Sequence, residues 1–204
     1  MAELVPRFYD VTSGAVLVDE VDVRELDLKN LRKQVGIVLQ DVFIFSDTIK
    51  GNIRYGKPDA ADEEIIEAAK AAQIHEYIMT LPKGYDTIVG ERGVTLSGGQ
   101  RQRVSIARTL LTDPRILILD DSTSNVDAQT ETLIRIAIDR LRENRTALII
   151  TQRASTCETA DKVVVMDKGR IIAVGKHSDL LKSSIEYRNL IESQALKMNG
   201  RGEL

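Results

Sequence analysis

Residues 35–39 (Val-Gly-Ile-Val-Leu), 116–119 (Ile-Leu-Ile-Leu) and 146–150 (Thr-Ala-Leu-Ile-Ile) are short runs that are apolar nearly throughout instead of alternating with polar residues. A strand reads this way when both of its faces are covered, as in a parallel sheet sandwiched by helices. Residues 162–166 have the same character, and Gly169 opens a turn into a further strand over 170–174. Helical stretches lie between the runs, and this alternation predicts an α/β core with a largely parallel sheet. At 204 residues and 43% hydrophobic content the chain can build one sizeable domain, or a domain with a subdomain.

The segments between the strands carry their own signals. Residues 14–23 predict a hairpin turning at Asp19-Glu20, where a glycine in place of Glu20 would suit the left-handed angles better. Residues 26–33 predict a short helix, and residues 1–9 read as the tail of a helix. From residue 41 to 92 the pattern becomes helical and less apolar, with acids at 62–64 on a first turn and Ile65, Ile66, Ala69 and Ala72 on one face. Residues 74–81 predict another short helix, stopped by Pro82. Asp127 is expected to cap a long amphipathic helix that turns Leu133, Ala137, Ile138 and Leu141 inward, and residues 178–196 predict an amphipathic helical tail. The formal net charge is −3, which offers no basic excess for nucleic acid or an anionic membrane. The single cysteine, Cys157, has no internal partner and reads as a buried structural thiol in a reducing compartment. No apolar run reaches the roughly 18 residues of a membrane span.

Within this frame one stretch stands out: Leu96-Ser97-Gly98-Gly99-Gln100, continuing Arg-Gln-Arg-Val-Ser-Ile-Ala-Arg-Thr-Leu. Ser97 is a good N-cap, while Val104, Ala107, Leu110 and Leu111 give one buried stripe, and Asp113-Pro114 stops the helix. Two glycines leave the first amides of that helix bare of side chains. Those amides and the positive end of the helix dipole form an anion site.

The sequence LSGGQ resembles the signature motif of the ATP-binding cassette (ABC) ATPases, and the resemblance extends over about residues 1–196. It implies a P-loop NTPase (RecA-like) fold with a mainly parallel sheet. Residues 1–40 and 111–204 would form the α/β core of a single domain, and residues 41–110 a helical subdomain carrying the signature helix. It also assigns roles. Asp120, following an apolar strand, resembles a Walker B aspartate that positions Mg²⁺ beside a nucleotide phosphate. Gln40 stands at the Q-loop position, where its amide touches metal or water while the loop faces a transmembrane partner. Residues 124–127, ending in Asp127, resemble the D-loop that runs along the interface of two ATPase domains. Residues 89–93, Val-Gly-Glu-Arg-Gly, resemble a segment through which exporter-type members contact their membrane domain. Leu96, Ser97, Gly98, Gly99 and Gln100 would bind ATP held by a partner domain, packed head to tail.

Three departures accompany these matches. No Gly-rich loop ending Gly-Lys-Ser/Thr is present, so the chain reads as a cassette cut off downstream of its Walker A motif and lacking its first strands. Asp121 stands where the family carries a catalytic glutamate, and the shorter side chain withdraws the carboxylate by about 1–1.5 Å, enough for on the order of 10²-fold in rate. Gln152 stands where a switch histidine is usual, and an amide does not protonate near neutral pH. The resemblance therefore implies the degenerate-site subunit of a heterodimeric multidrug-type exporter, at the cytoplasmic face of the membrane, with ATP and Mg²⁺ as ligands. The chain alone is expected to be inactive. The rival readings are a soluble ABC ATPase of DNA repair or translation, and a non-enzymatic interaction fragment. The two histidines, His75 and His177, are read as packing or capping residues.

Overall fold

The computed structural model describes residues 2–39, 41–90, 93–120 and 128–199. The chain divides into two compact units, residues 1–150 and residues 151–204.

The first unit begins with a single 3-10 turn at Ala2–Leu4, so helical structure at the start is shorter than expected. Arg32 holds this stretch through the carbonyls of Pro6 and Arg7, and its guanidinium lies 5.1 Å from the Phe8 ring centroid. Strands β1 (Leu17–Val18) and β2 (Val21–Asp22) form the expected hairpin, paired Val18 to Val21. Both turn residues are left-handed, Asp19 at φ 48° and Glu20 at φ 67°, the pair of positive angles that a two-residue type I′ turn requires. Helix α1 (Leu28–Gln34), capped by the Asp27 carboxylate, passes directly into β3 (Val35–Val38).

Strand β6 (Ile116–Asp120) lies between β3 and β7 (Thr146–Ile150), and all three run parallel. Its Leu117, Ile118 and Leu119 are almost wholly buried. The middle residues of β7 are only half-buried, which corrects the expectation of a fully buried strand: β7 has a paired neighbour on one side among the described residues. Helix α6 (Ala128–Arg142) buries Ile134, Ala137 and Leu141. Ile138 packs against this core as expected, while Leu133 is half-buried and its neighbour Ile134 is the fully buried residue of that turn.

Between β3 and β6 the chain builds a helical block. It comprises α2 (Ile49–Arg54), α3 (Asp62–Ala71), α4 (His75–Thr80) and α5 (Gly98–Thr112). Two-residue strands β4 (Asp47–Thr48) and β5 (Ile88–Val89) close the block as an antiparallel ribbon. Helix α5 packs against α2, α3, α6 and β3. It buries Gln102, Arg103, Ser105 and Thr109 as well as Val104, Ile106, Ala107 and Leu111, a wider face than the single expected stripe because four elements surround it. Gly56, just beyond α2, is required by this packing: a Cβ there would sit 2.5 Å from the Arg108 carbonyl. At its other end α5 stops at Asp113, left-handed at φ 46°, whose carboxylate accepts from Arg145 at 2.5 Å.

The second unit contains α7 (Ala154–Glu158), β8 (Val163–Asp167), β9 (Arg170–Gly175), α8 (His177–Ser183) and α9 (Ile185–Asn199). β8 and β9 pair antiparallel as a two-stranded hairpin with a register shift at Val165–Met166. β8 alternates buried and exposed residues, so this run is half-covered rather than buried on both faces. Cys157 is buried beside Val163, Val165, Leu180 and Tyr187, as its reading as a packing thiol anticipated. His177 meets the Tyr187 hydroxyl at 2.7 Å through Nδ1, and burial pushes that phenol well above its ordinary pKa.

Candidate functional site

The start of α5 is the centre of the candidate site. Ser97 holds an extended backbone and its hydroxyl accepts from the Gln100 N–H, while the Gln100 side chain accepts from the Ser97 N–H at 2.8 Å. This reciprocal capping box fixes the entry angle of the helix. Arg101 reaches back to donate to the Leu96 carbonyl at 2.8 Å, and Leu96 itself is buried. The cap ties down Ser97 and Gln100, and it leaves the Gly98 and Gly99 amides at the positive end of a 15-residue helix. A Cβ added at Gly98 would meet nothing nearer than an Arg101 nitrogen at 4.0 Å. Nothing inside the chain therefore demands glycine at 98. The open approach to the backbone suits a ligand that must come close to those amides.

Asp120 occupies the carboxyl end of the central strand, opposite Ile150, and is half-buried. Ligands in open α/β sheets collect at that end. Helix α5 precedes β6 and packs back on β3. Mg²⁺ is commonly held by one or two carboxylates plus substrate phosphates, and Asp120 at a strand terminus fits that donor pattern. Among the described residues no group of three or more His, Cys, Asp or Glu could hold a metal without such a ligand. Gln152 lies in the second unit, exposed on the segment before α7, next to a turn in which the Thr151 hydroxyl accepts from the Arg153 N–H. Gln40, Asp121 and Asp127 lie outside the described residues.

The structure adds residues that the sequence reading passed over. Asn52 on α2 is completely buried, and Arg108 on α5 reaches it from below the signature turn. Asn52 sits in no motif of recognisable spacing, and Arg108 lies in the stretch that follows the signature without a role assigned to it there. Their signal is the pairing of an amide and a guanidinium 56 positions apart, which only the fold brings together.

The sequence profile of the ABC transporter family matches residues 1–124. A putative multidrug export ATP-binding/permease protein of Bacillus subtilis, YgaD, is 54% identical over 196 residues, covering 96% of this chain and 34% of that protein. A putative multidrug export ATP-binding/permease protein of Staphylococcus aureus is 50% identical over the same share of both chains. Among solved structures, a bacterial Atm1-family ABC exporter with ATP bound superposes with a TM-score of 0.88 at 43% identity, over 95% of this chain and 34% of that one. The chain spans about a third of the length of these relatives. The signature turn, the strand-end aspartate and the parallel sheet that carries it are thus accounted for together: the chain belongs to the ABC transporter family.

Proposed function

We propose that this chain is the ATPase part of an ABC exporter that couples ATP binding and hydrolysis to transport across a membrane, presenting its signature turn to ATP held by a second ATPase domain. The observation that carries this reading is the capped start of α5, where Gly98 opens onto free space and leaves the backbone of the first turn approachable, with Gly99 buried behind it. In that role Ser97 and the two amides would donate to the terminal phosphate of the partner's ATP, while Asp120 would hold Mg²⁺ at this chain's own site, where the ion supplies charge neutralisation to the phosphates. Residues 41–110 form the helical subdomain, and Gln40 and the 89–93 segment face the membrane partner. No helix among the described residues is long and apolar enough to cross a membrane. In the exporter reading a transmembrane partner supplies the spans, and this part works at the cytoplasmic face. The names of the relatives support the exporter reading over a soluble ATPase of repair or translation.

Asp121 and Gln152 support a finer reading, in which the chain's own site turns ATP over poorly and its partner is a different subunit with a competent site. The deciding experiment is ATP turnover by the complete exporter with Gly98→Asp. A carboxylate at that position repels phosphate, and turnover is expected to fall at least about 10²-fold. The thermal unfolding midpoint should stay close to wild type, because the new side chain meets open space. Undiminished turnover overturns the reading.

A further inference from the structure

The structure assigns to Arg108 a positioning role: it locks an exposed aromatic face onto the helix that carries the signature turn. This inference rests on the proposed exporter function for its consequence, although the contact itself does not. Arg108 lies ten residues beyond Gly98 on α5. Its Nε donates to the Asn52 carbonyl at 2.8 Å, its Nη2 to the Asn52 side-chain oxygen at 3.2 Å, and its Nη1 to the Phe43 carbonyl at 3.4 Å. The same guanidinium lies 5.5 Å from the Phe45 ring centroid and 5.8 Å from that of Tyr55. One side chain thus grips two backbone carbonyls, one amide and two rings, from two separate segments, residues 43–45 and 52–55.

What it grips is organised for presentation. The Asn52 side-chain oxygen also accepts from the Phe45 N–H at 2.9 Å, and its Nδ2 donates to the Phe45 and Thr48 carbonyls, both at 3.0 Å. The Phe45 ring packs on Tyr55 with centroids 4.4 Å apart and edge-on to Phe43 at 5.0 Å. Yet Phe43 is 68% exposed and Tyr55 64% exposed. Hydrogen bonding of this density around a fully buried amide serves to fix a backbone that carries two outward aromatic rings. These rings begin three residues after position 40, so the segment that Arg108 holds continues directly from the expected Q-loop. Burial lowers the Arg108 guanidinium from its ordinary pKa, and the fork stays charged at any working pH. A lysine retains the charge and loses the planar fork, which makes Arg108→Lys a specific probe.

The test has two readouts. In the 204-residue chain, amide exchange at Phe45 is expected to rise at least about tenfold in R108K, while amides of α3 and β6 keep wild-type protection. In the complete exporter, R108K is expected to lower kcat for ATP at least about fivefold with KM within a factor of two, since Arg108 grips the aromatic face and not the signature turn. Tyr55→Leu combined with R108K should be no worse than the more damaging single variant, because both act through one face. Unchanged exchange at Phe45 overturns the inference. So does raised exchange with unaltered kcat, and so do losses that multiply in the double variant. Should R108K not fold, Arg108→Gln retains one donor to Asn52 and is read by the same criteria. A wild-type exporter without ATP turnover would instead sink the proposed function, and the exchange measurement would still decide whether Arg108 fixes the segment.

Discussion

At the scale of single residues, the two histidines are used in the same way, each meeting a tyrosine hydroxyl ten positions on. His75 Nδ1 lies 2.9 Å from the Tyr85 hydroxyl, and burial pushes the Tyr85 phenol up to about 12. The fold thus favours the neutral phenol. Its contribution to stability is complete below the ordinary tyrosine pKa near 10 and is lost as pH rises from about 10 towards 12. Urea unfolding at pH 9 and at pH 11.5 should show a smaller alkaline loss in Tyr85→Phe than in the wild type. Equal losses would mean that the phenol is as easily ionised in the fold as in the open chain. The packing role of both histidines was legible in the sequence, but their partners were not, because each tyrosine reaches its histidine across a turn. Ser97 differs. Its hydroxyl and the Gln100 side chain are three residues apart, and a capping box is a local device that any reader of the sequence can find.

At the scale of elements, the turn between β1 and β2 stores a correctable strain. Glu20 at φ 67° adopts a region that glycine enters without penalty and other residues enter at roughly 1–2 kcal/mol. Part of that gain is lost to the extra freedom of glycine in the unfolded chain. Glu20→Gly is therefore expected to stabilise the chain by about 0.5–1 kcal/mol, seen as a higher urea midpoint at unchanged slope. A lower midpoint would show that the hairpin does not need its left-handed angles. The elements that sequence reading recovered share a cause: β3, β6, α3 and α5 are long or apolar enough for their period to be visible. Helix α2 was missed because its six residues include Gly51 and bury the polar Asn52 beside Ile49 and Ile53, so they show no clear apolar period. The β4–β5 ribbon was missed because two-residue strands have no period at all. Helix α5 was recognised from its cap and its stop, yet its buried Arg103, whose guanidinium donates to the Gln73 carbonyl at 2.5 Å, broke the pattern of its core face. A charge inside is unreadable from sequence when its partner is a backbone oxygen thirty positions away.

At the scale of the whole molecule, the groups that can touch a nucleotide are few. The 204 residues contain no Gly-x-x-x-x-Gly-Lys-Ser/Thr stretch, so the backbone donors and the lysine of such a loop are not supplied to the phosphates by this chain. A phosphate loop contributes several backbone donors and a lysine, each a charge-assisted bond worth about 1.5–3 kcal/mol. Three such bonds amount to roughly 5–9 kcal/mol, or on the order of 10⁴–10⁶ in affinity. Isothermal calorimetry of this chain with ATP and Mg²⁺ is therefore expected to show a Kd on the order of 1 mM or weaker, with no phosphate released. A version joined to a phosphate-loop segment from a close relative should bind far more tightly. If the chain as given already binds at micromolar concentration, a donor set other than the signature turn and Asp120 must hold the phosphates. The Gly98→Asp variant then separates the cases: a loss of affinity would trace the binding to the start of α5, and no change would move the nucleotide site elsewhere on the molecule.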